Sequence, residues 1–211
     1  MKIKTLVVNE FQVNAYILHD DTNQAVIIDG AVKFDNEIQE LKSYILDNQL
    51  EVKYILNTHG HVDHISGNNL LKSLYNVPIL MNYNDNFLIE SAVMHAQSFG
   101  LNVKQPPMPD MDIIDGMTIE FGKSNLQCIE VPGHSPGSIA FYNKLDEFVI
   151  TGDALFAGSI GRTDLPKGNY DKLINSIKTK ILNLPENTRV FCGHGPETDI
   201  AAEKWSNPFL K

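Results

Sequence analysis

Cysteine is scarce in this sequence of 211 residues, which contains only Cys128 and Cys192. Two cysteines cannot build the disulfide framework of a small secreted scaffold, and a chain of this length buries enough core without one. Basic residues are also few, because 17 Lys and Arg stand against 26 Asp and Glu, giving a formal net charge of -9. This balance argues against salt-dependent binding to phosphate backbones, so we expect no nucleic-acid partner.

Long apolar runs are absent as well. No stretch approaches the roughly 20 apolar residues that span a bilayer, so no membrane partner is expected. An apolar run near the N-terminus is interrupted by Asn9 and Glu10 before a signal-peptide core is complete. Together with the low cysteine content, these absences predict a globular protein of the reducing cytoplasm.

Apolar periodicity predicts an alternation of strands and helices. Residues 36–50 carry Ile38, Leu41, Ile45 and Leu46 at helical spacing, which indicates an amphipathic helix. The predicted strands are 3–8, 13–18, 25–28, 52–56, 77–81, 118–121, 126–131, 138–142, 147–151 and 189–192. The predicted helices are 36–50, 64–75, 84–99, 170–182 and a short one near the C-terminus. Strand groups followed by helices occur twice, which predicts two sheets packed face to face with helices outside.

Three of the seven histidines lie within six residues, in the motif His-Gly-His-Val-Asp-His that begins at His59. The motif follows the predicted strand 52–56, and sites in α/β architectures gather at the carboxyl ends of strands. In an extended loop His59 and His61 point the same way, while Asp63 and His64 turn to the opposite side at the next helix. Imidazole and carboxylate are ligands for Zn²⁺ and also for iron and manganese, so we interpret the cluster as a metal site.

Three further candidate ligands each follow an apolar strand. His134 and His194 lie in loops that contain glycine and proline, residues that form tight turns where strands end. Asp153 comes just past another buried strand. His19, predicted to lie on a hairpin turn, and His95, inside a helical pattern, lack such settings and are interpreted as structural or surface residues.

Seven candidate ligands exceed what one tetrahedral ion can use, so the sequence predicts two metal ions. Two adjacent cations repel each other, and a carboxylate is therefore expected to bridge them. Asp153 is the best-placed candidate for this bridge. Zinc is the metal expected first, with iron and manganese as alternatives, and no organic cofactor is predicted.

Five motifs match a known family and occur in the family's order. They are THGHVDH from Thr58, GHSPGS from Gly133, GDALF from Gly152, GRTD from Gly161 and GHGPET from Gly193. On these motifs the sequence resembles the metallo-β-lactamase superfamily and, within it, the hydrolases similar to glyoxalase II (hydroxyacylglutathione hydrolase). The resemblance implies an α/β fold, an αββα sandwich of two mixed β-sheets with helices on the outer faces. It also implies a single domain over residues 1–211.

The resemblance also implies a role for each candidate residue. Carried over position by position, the first metal is held by His59, His61 and His134, the second by Asp63, His64 and His194, and both by Asp153. Asp63 and Asp153 are the implied catalytic residues, with Asp63 also able to orient the attacking hydroxide or accept its proton. Asp29 matches a position that supports the metal site from behind the ligands, and the alternative is a simple turn residue before Gly30.

The implied reaction is hydrolysis of an activated ester, in the first place a thioester similar to S-lactoylglutathione. Metal coordination lowers the pKa of water to about 7, so a metal-bound hydroxide would attack the carbonyl carbon near neutral pH. The thiolate then leaves without a strong general acid. Full-length glyoxalase II enzymes carry a further C-terminal helical domain for glutathione, whereas about a dozen residues follow Thr198 here, so loose glutathione recognition is expected.

Other functions remain open at this point. The main alternative is a mononuclear iron persulfide dioxygenase of the same superfamily, which shares the histidine signature and the Gly-Arg-Thr-Asp segment. The loop around His194 favours the hydrolase over this alternative. A superfamily nuclease needs an additional domain for which 211 residues leave no room, and a non-catalytic metal module needs no open site. Arg162 and Asp164 either pair with each other or shape the site, and Cys192 is interpreted as a buried apolar residue.

Overall fold

The computed structural model describes residues 1–211, and the chain divides into two compact units. Unit 1 comprises Met1–Asp112 and Glu120–Ser124, and unit 2 comprises Ile113–Ile119 and Asn125–Lys211. None of the helices combines the length and the apolar character that crossing a membrane requires. The single domain expected from the sequence stays a prediction.

Unit 1 contains a mixed six-stranded sheet. Its strands, in spatial order, are β1 (Lys2–Val8), β2 (Val13–His19), β3 (Gln24–Ile28), β4 (Glu51–Leu56), β5 (Ile79–Met81) and β6 (Met111–Asp112). The first three form an antiparallel meander, and β4, β5 and β6 add to it in parallel. Because β3, β4 and β5 run parallel, their carboxyl ends meet at one edge of the sheet. The loop with the predicted histidine ligands begins at this edge.

The helices of unit 1 pack on this sheet. They are α1 (Asp35–Asp47), α2 (Val62–Ile65), α3 (Asn68–Tyr75), α4 (Asn86–Glu90) and α5 (Ala92–Ser98), with a 3₁₀ turn at Tyr83–Asp85 before α4. At the start of α1, Glu37 accepts hydrogen bonds from the backbone N–H groups of Lys33 (2.8 Å) and Phe34 (3.1 Å). The bond from Phe34, the residue just before the helix, satisfies one of the backbone donors that a helix start leaves unpaired. The helix then buries Leu41 and Ile45 in the core of the unit.

Two predicted helices are interrupted in the structure. The predicted helix 64–75 is α2 followed by α3, with Gly67 between them. A Cβ atom on Gly67 would lie 2.1 Å from the carbonyl oxygen of Gly30, so the close approach of two backbones requires glycine here. The predicted helix 84–99 consists of the 3₁₀ turn, α4 and α5. Between α4 and α5, the Ser91 hydroxyl donates to the carbonyl four residues back (2.8 Å), a bond that competes with regular helix.

A second six-stranded sheet, lying almost wholly in unit 2, is also mixed. Its strands are β7 (Thr118–Phe121), β8 (Ser124–Glu130), β9 (Ile139–Asn143), β10 (Phe148–Gly152), β13 (Arg189–Cys192) and β14 (Thr198–Asp199), and β11 (Leu155–Phe156) with β12 (Ser159–Ile160) forms a separate ribbon. The spatial order of the sheet is β14-β13-β10-β9-β8-β7. β10 and β13 are parallel neighbours, so both end at the same edge, just before Asp153 and His194.

The main helix of unit 2 changes its winding part-way along. α6 (Tyr170–Ser176) continues as a π-helical segment at Ile177–Ile181, and α7 (Ile200–Ser206) follows later in the chain. The predicted helix 170–182 is therefore only partly α-helical. Leu173, Ile177 and Ile181 are buried in one core at a spacing of four residues, longer than the 3.6 residues of an α-turn, and the wider π turn suits this spacing. Two mixed sheets with helices confirm the predicted α/β class.

Candidate metal centre

Three buried imidazoles come together beyond the carboxyl end of β4. The strand ends at Leu56, and α2 begins six residues later at Val62. His59, His61 and His64 are 1%, 5% and 0% exposed. The ring centroid of His59 lies 4.8 Å from that of His61 and 4.2 Å from that of His64. The histidines that the sequence grouped are therefore a compact side-chain cluster within unit 1.

Asp29 holds two of these imidazoles from behind. Its carboxylate accepts hydrogen bonds from the Thr58 backbone N–H (2.8 Å), the Thr58 hydroxyl (2.6 Å) and His64 Nδ1 (3.0 Å). Because the single hydroxyl proton of Thr58 goes to Asp29, its oxygen accepts from His59 Nδ1 at 3.0 Å. With Nδ1 donating in both rings, Nε2 is the nitrogen that each would offer to a metal. Asp29 also follows β3 with a φ of 48°. It is therefore both a turn residue and a residue that supports the histidine cluster.

The acidic member of the cluster, Asp63, lies in the first turn of α2. Its Oδ2 atom is 3.8 Å from His64 Nε2, and its side chain is 20% exposed. Two buried asparagines fix the backbone beneath these residues. Asn9 donates to the Asp63 carbonyl (2.9 Å), and Asn57 donates to the His64 carbonyl (3.3 Å). Neither asparagine was predicted from the sequence as a supporting residue, although the polar interruption of an apolar run at Asn9 was a visible signal.

Unit 2 brings its three predicted ligands together in the same manner. Asp153 follows β10, and its Oδ2 atom lies 3.6 Å from His134 Nε2 and 3.5 Å from His194 Nε2. His134 is buried, while the His194 side chain is 27% exposed. One carboxylate oxygen therefore stands between two imidazole nitrogens.

The orientation of His134 is set by the segment that follows Asp153. His134 Nδ1 donates to the Arg162 carbonyl oxygen at 2.8 Å, which directs Nε2 toward Asp153. A Cβ atom on Gly161 would lie 1.8 Å from the Asp153 carbonyl oxygen and 3.1 Å from His134 Nδ1. Only glycine fits at this position, because any side chain would displace two candidate ligands.

The Arg162 side chain points to a different partner. Its Nε and Nη2 atoms donate to the two carboxylate oxygens of Asp164 at 2.7 and 2.6 Å. These hydrogen bonds from Arg162 lower the pKa of Asp164 to about 2. The interpretation of Arg162 and Asp164 as a mutual pair is therefore confirmed, and both side chains are exposed.

The remaining histidines differ from one another. His19 is the last residue of β2 rather than a turn residue, and its Nε2 atom lies 3.0 Å from the Tyr44 hydroxyl. Burial lowers the pKa of His19, so it is a neutral structural residue. His95 lies in α5, with its ring centroid 6.4 Å from that of His61. His95 thus borders the cluster, whereas the sequence pattern predicted only a structural or surface residue.

Neither cysteine offers a reactive thiolate. Cys128 and Cys192 are both fully buried and free of disulfides. Burial raises the pKa of each thiol to about 12, which keeps the thiols protonated at neutral pH. The interpretation of Cys192 as a buried apolar residue is confirmed.

The chemistry of the donors fits divalent metal ions. Each unit presents imidazole nitrogens beside at least one carboxylate, the donor set preferred by zinc and shared by iron and manganese. His64 and His134 also have the orienting hydrogen bond from Nδ1 to an oxygen that metal-ligating histidines nearly always make.

A model of the metallo-β-lactamase superfamily matches residues 8–194, a range that includes every candidate ligand. The chain belongs to this superfamily. Among the similar proteins is hydroxyacylglutathione hydrolase GloC of Haemophilus influenzae, which is 40% identical to this chain over 212 residues. The match covers 100% of this chain and 98% of GloC.

Two solved structures show the same fold. The crystal structure of BLEG-1, a B3 metallo-β-lactamase, matches with a TM-score of 0.90 at 33% identity and covers 100% of both chains. The structure of TTHA1623 in a di-iron-bound form has a TM-score of 0.88 at 35% identity and covers 98% of this chain and 100% of that chain. The predicted metallo-β-lactamase fold is thereby confirmed, and the chain takes its place among metallohydrolases.

Proposed function

We propose that this superfamily member hydrolyses thioesters with two divalent metal ions, and that residues 1–211 act as one domain. The observation that carries the proposal is the position of the Asp153 carboxylate, 3.6 Å from His134 Nε2 and 3.5 Å from His194 Nε2. A carboxylate between two imidazole ligands suits a pair of adjacent cations, because its charge offsets their repulsion. The similarity to a relative named hydroxyacylglutathione hydrolase supports a small-molecule thioester as the substrate.

The proposed ligand sets are those implied by the sequence motifs. The first metal would be held by His59, His61 and His134, the second by Asp63, His64 and His194, and both by Asp153. Zinc is the proposed metal, and iron and manganese are the alternatives that the donors also fit.

When bound, the two cations would supply a hydroxide nucleophile near neutral pH and a Lewis acid for the carbonyl oxygen. The contribution of the protein itself is to hold the proposed ligands in fixed positions, so that they do not have to rearrange during the reaction. Asp29 fixes the rings of His59 and His64 through Thr58 and through its own carboxylate. Asp63 keeps part of its carboxylate exposed, so it can also orient the nucleophile or accept its proton.

Metal-loaded protein should hydrolyse S-lactoylglutathione or a related thioester in a chelator-sensitive manner. The reaction depends on the metals for both nucleophile and charge stabilisation, so EDTA should remove nearly all activity and added Zn²⁺ should restore it. Thiol release, followed with a chromogenic disulfide, measures the rate directly.

The same preparation should be assayed with a β-lactam, because BLEG-1 is a B3 metallo-β-lactamase. It should also be assayed with glutathione persulfide in an oxygen electrode. Oxygen consumption without thioester cleavage would replace the hydrolase with the dioxygenase, and faster β-lactam cleavage would replace the substrate class. We expect the thioester to be the preferred substrate of the three.

Fully loaded protein should contain about two metal ions per chain, because seven ligands with one bridging carboxylate fill two sites. Elemental analysis after saturation with Zn²⁺, Mn²⁺ or Fe²⁺ and removal of unbound ions gives the number. A plateau at one ion with all three metals would contradict the dinuclear centre.

A further inference from the structure

A fully buried carboxylate outside the ligand set contacts the backbone between two of the ligands. Asp85 is 0% exposed, and its Oδ2 atom accepts a hydrogen bond from the Gly60 N–H at 2.9 Å. Gly60 lies between His59 and His61. The position of this one peptide therefore determines the relative position of two imidazole rings.

The sheet brings these distant residues together. β4 and β5 are parallel neighbours, with Leu56 opposite Leu80, so the segments that follow the two strands leave the same edge side by side. One segment contains His59 and Gly60, and the other is the turn that ends at Asp85. A hydrogen bond from the Asn57 N–H to the Leu80 carbonyl (3.0 Å) extends the pairing toward the ligand loop.

Asp85 is itself held in a hydrogen-bonded turn. Its backbone N–H donates to the Asn82 carbonyl at 3.2 Å, and the Asn82 side chain accepts from the Asn84 N–H at 2.9 Å. Asp85 also immediately precedes α4, which places its backbone at a helix start. The carboxylate is therefore presented by a structured turn and not by a free loop.

The contact between the two segments is tight as well as hydrogen-bonded. A Cβ atom on Gly60 would lie 3.0 Å from both the Cβ and the carbonyl oxygen of Asp85, and 3.2 Å from the Leu88 Cβ. The start of α4 thus supports the ligand loop from beneath, while Asp29 supports His59 and His64 from the β3 side.

We infer that Asp85 is a positioning residue, whose hydrogen bond to Gly60 holds His59 and His61 in the geometry that binds the first metal. The inference rests on the proposed metal centre. Loss of a partner that orients metal ligands typically weakens metal affinity by about 10–100-fold. The Asp85 carboxylate acts here on the backbone rather than on an imidazole.

Asp85→Ala should weaken the binding of Zn²⁺ about 10–100-fold in the full chain, as measured by competition with a fluorescent chelator. The absorption bands of bound Co²⁺ should also shift, because they report ligand geometry. Asp85→Asn keeps an oxygen acceptor of nearly the same shape, so its Zn²⁺ affinity should stay within about threefold of the original. Equal losses in the alanine and asparagine variants would overturn the inference, because charge and not the hydrogen bond would then be responsible.

Asp110→Ala is the matched control. Asp110 accepts a hydrogen bond from the Ile79 N–H at 2.8 Å, at the opposite end of β5 from Asp85. This variant should lower the melting temperature of the metal-free protein and leave Zn²⁺ affinity and the Co²⁺ bands unchanged. If it weakens Zn²⁺ binding as much as Asp85→Ala, general destabilisation explains both and the inference fails.

If Asp85→Ala does not fold, Gly60→Ala decides the question. Its added methyl group presses on Asp85 at 3.0 Å, so it should weaken Zn²⁺ binding by at least about tenfold. Unchanged affinity in Gly60→Ala would overturn the inference. A parent protein that binds no metal would instead remove the proposed centre, so the two failures are distinguishable.

Discussion

Replacing Asp153 with alanine should reduce thioester hydrolysis by about 10³-fold or more, the largest loss expected from any single substitution in this protein. The Asp153 carboxylate lies between His134 and His194, within 3.6 Å of an Nε2 atom on each side. Its removal would take one ligand from each proposed metal and would leave the two proposed cations without a bridging charge. A loss of 10³-fold corresponds to about 4 kcal/mol of transition-state stabilisation. Steady-state kinetics and elemental analysis on the same preparation measure both consequences.

Asp164→Ala serves as the control for Asp153→Ala. Asp164 is an exposed aspartate that pairs with Arg162. Asp164 lies outside the proposed ligand set, and surface ion pairs contribute little to stability. Removal of its exposed carboxylate should therefore change turnover only slightly. If Asp153→Ala retains two metals and substantial turnover, Asp153 is not the bridge and the proposed centre is wrong.

His194→Ala should retain its fold and about one metal per chain, yet lose thioesterase activity by about 10²-fold or more. His194 belongs only to the second proposed site, so His59, His61, His134 and Asp153 would still hold the first metal. Its side chain is also the most exposed of the predicted ligands in unit 2, so its truncation disturbs little packing. Metal content, circular dichroism and kcat together separate loss of the second metal from loss of the fold.

Comparison of the two variants decides between one metal and two. Near-normal turnover in His194→Ala beside an inactive Asp153→Ala would support a single-metal enzyme and revive the dioxygenase alternative. His19→Gln is a suitable control, because the His19 side chain forms its hydrogen bond with the Tyr44 hydroxyl and not with a predicted ligand. It should lower the melting temperature without changing metal content.

The predicted ligands were located by one rule, which is that functional side chains come just after apolar strands. The strand ends in both units follow this rule. His59, Asp153 and His194 each come shortly after an apolar strand, and the structure ends β4, β10 and β13 just before them. Strand Arg189–Cys192 was predicted to the residue because its apolar run is short and bounded by turn residues. Parallel pairing then brings the carboxyl ends of neighbouring strands to the same edge of their sheet.

The supporting residues could not be predicted in this way. The partner of Gly60 is Asp85, 25 residues away, and the partner of the Asp63 carbonyl is Asn9, 54 residues away. These contacts depend on which strands are neighbours and in what register, and local periodicity does not encode either property. The requirement for glycine at position 67 has the same origin, because it results from the close approach of a distant backbone at Gly30.

The division of the chain into two units means that the proposed ligands are synthesised in a fixed order. Unit 1 is complete at Ser124, when His59 and its neighbouring ligands have already been made. His194 lies 70 residues further on, which takes the ribosome roughly 4–14 s at about 5–20 residues per second. Because synthesis runs from the N-terminus, the histidine cluster of unit 1 is made before every predicted ligand of unit 2. The full set of predicted ligands is therefore complete only once His194 has been made.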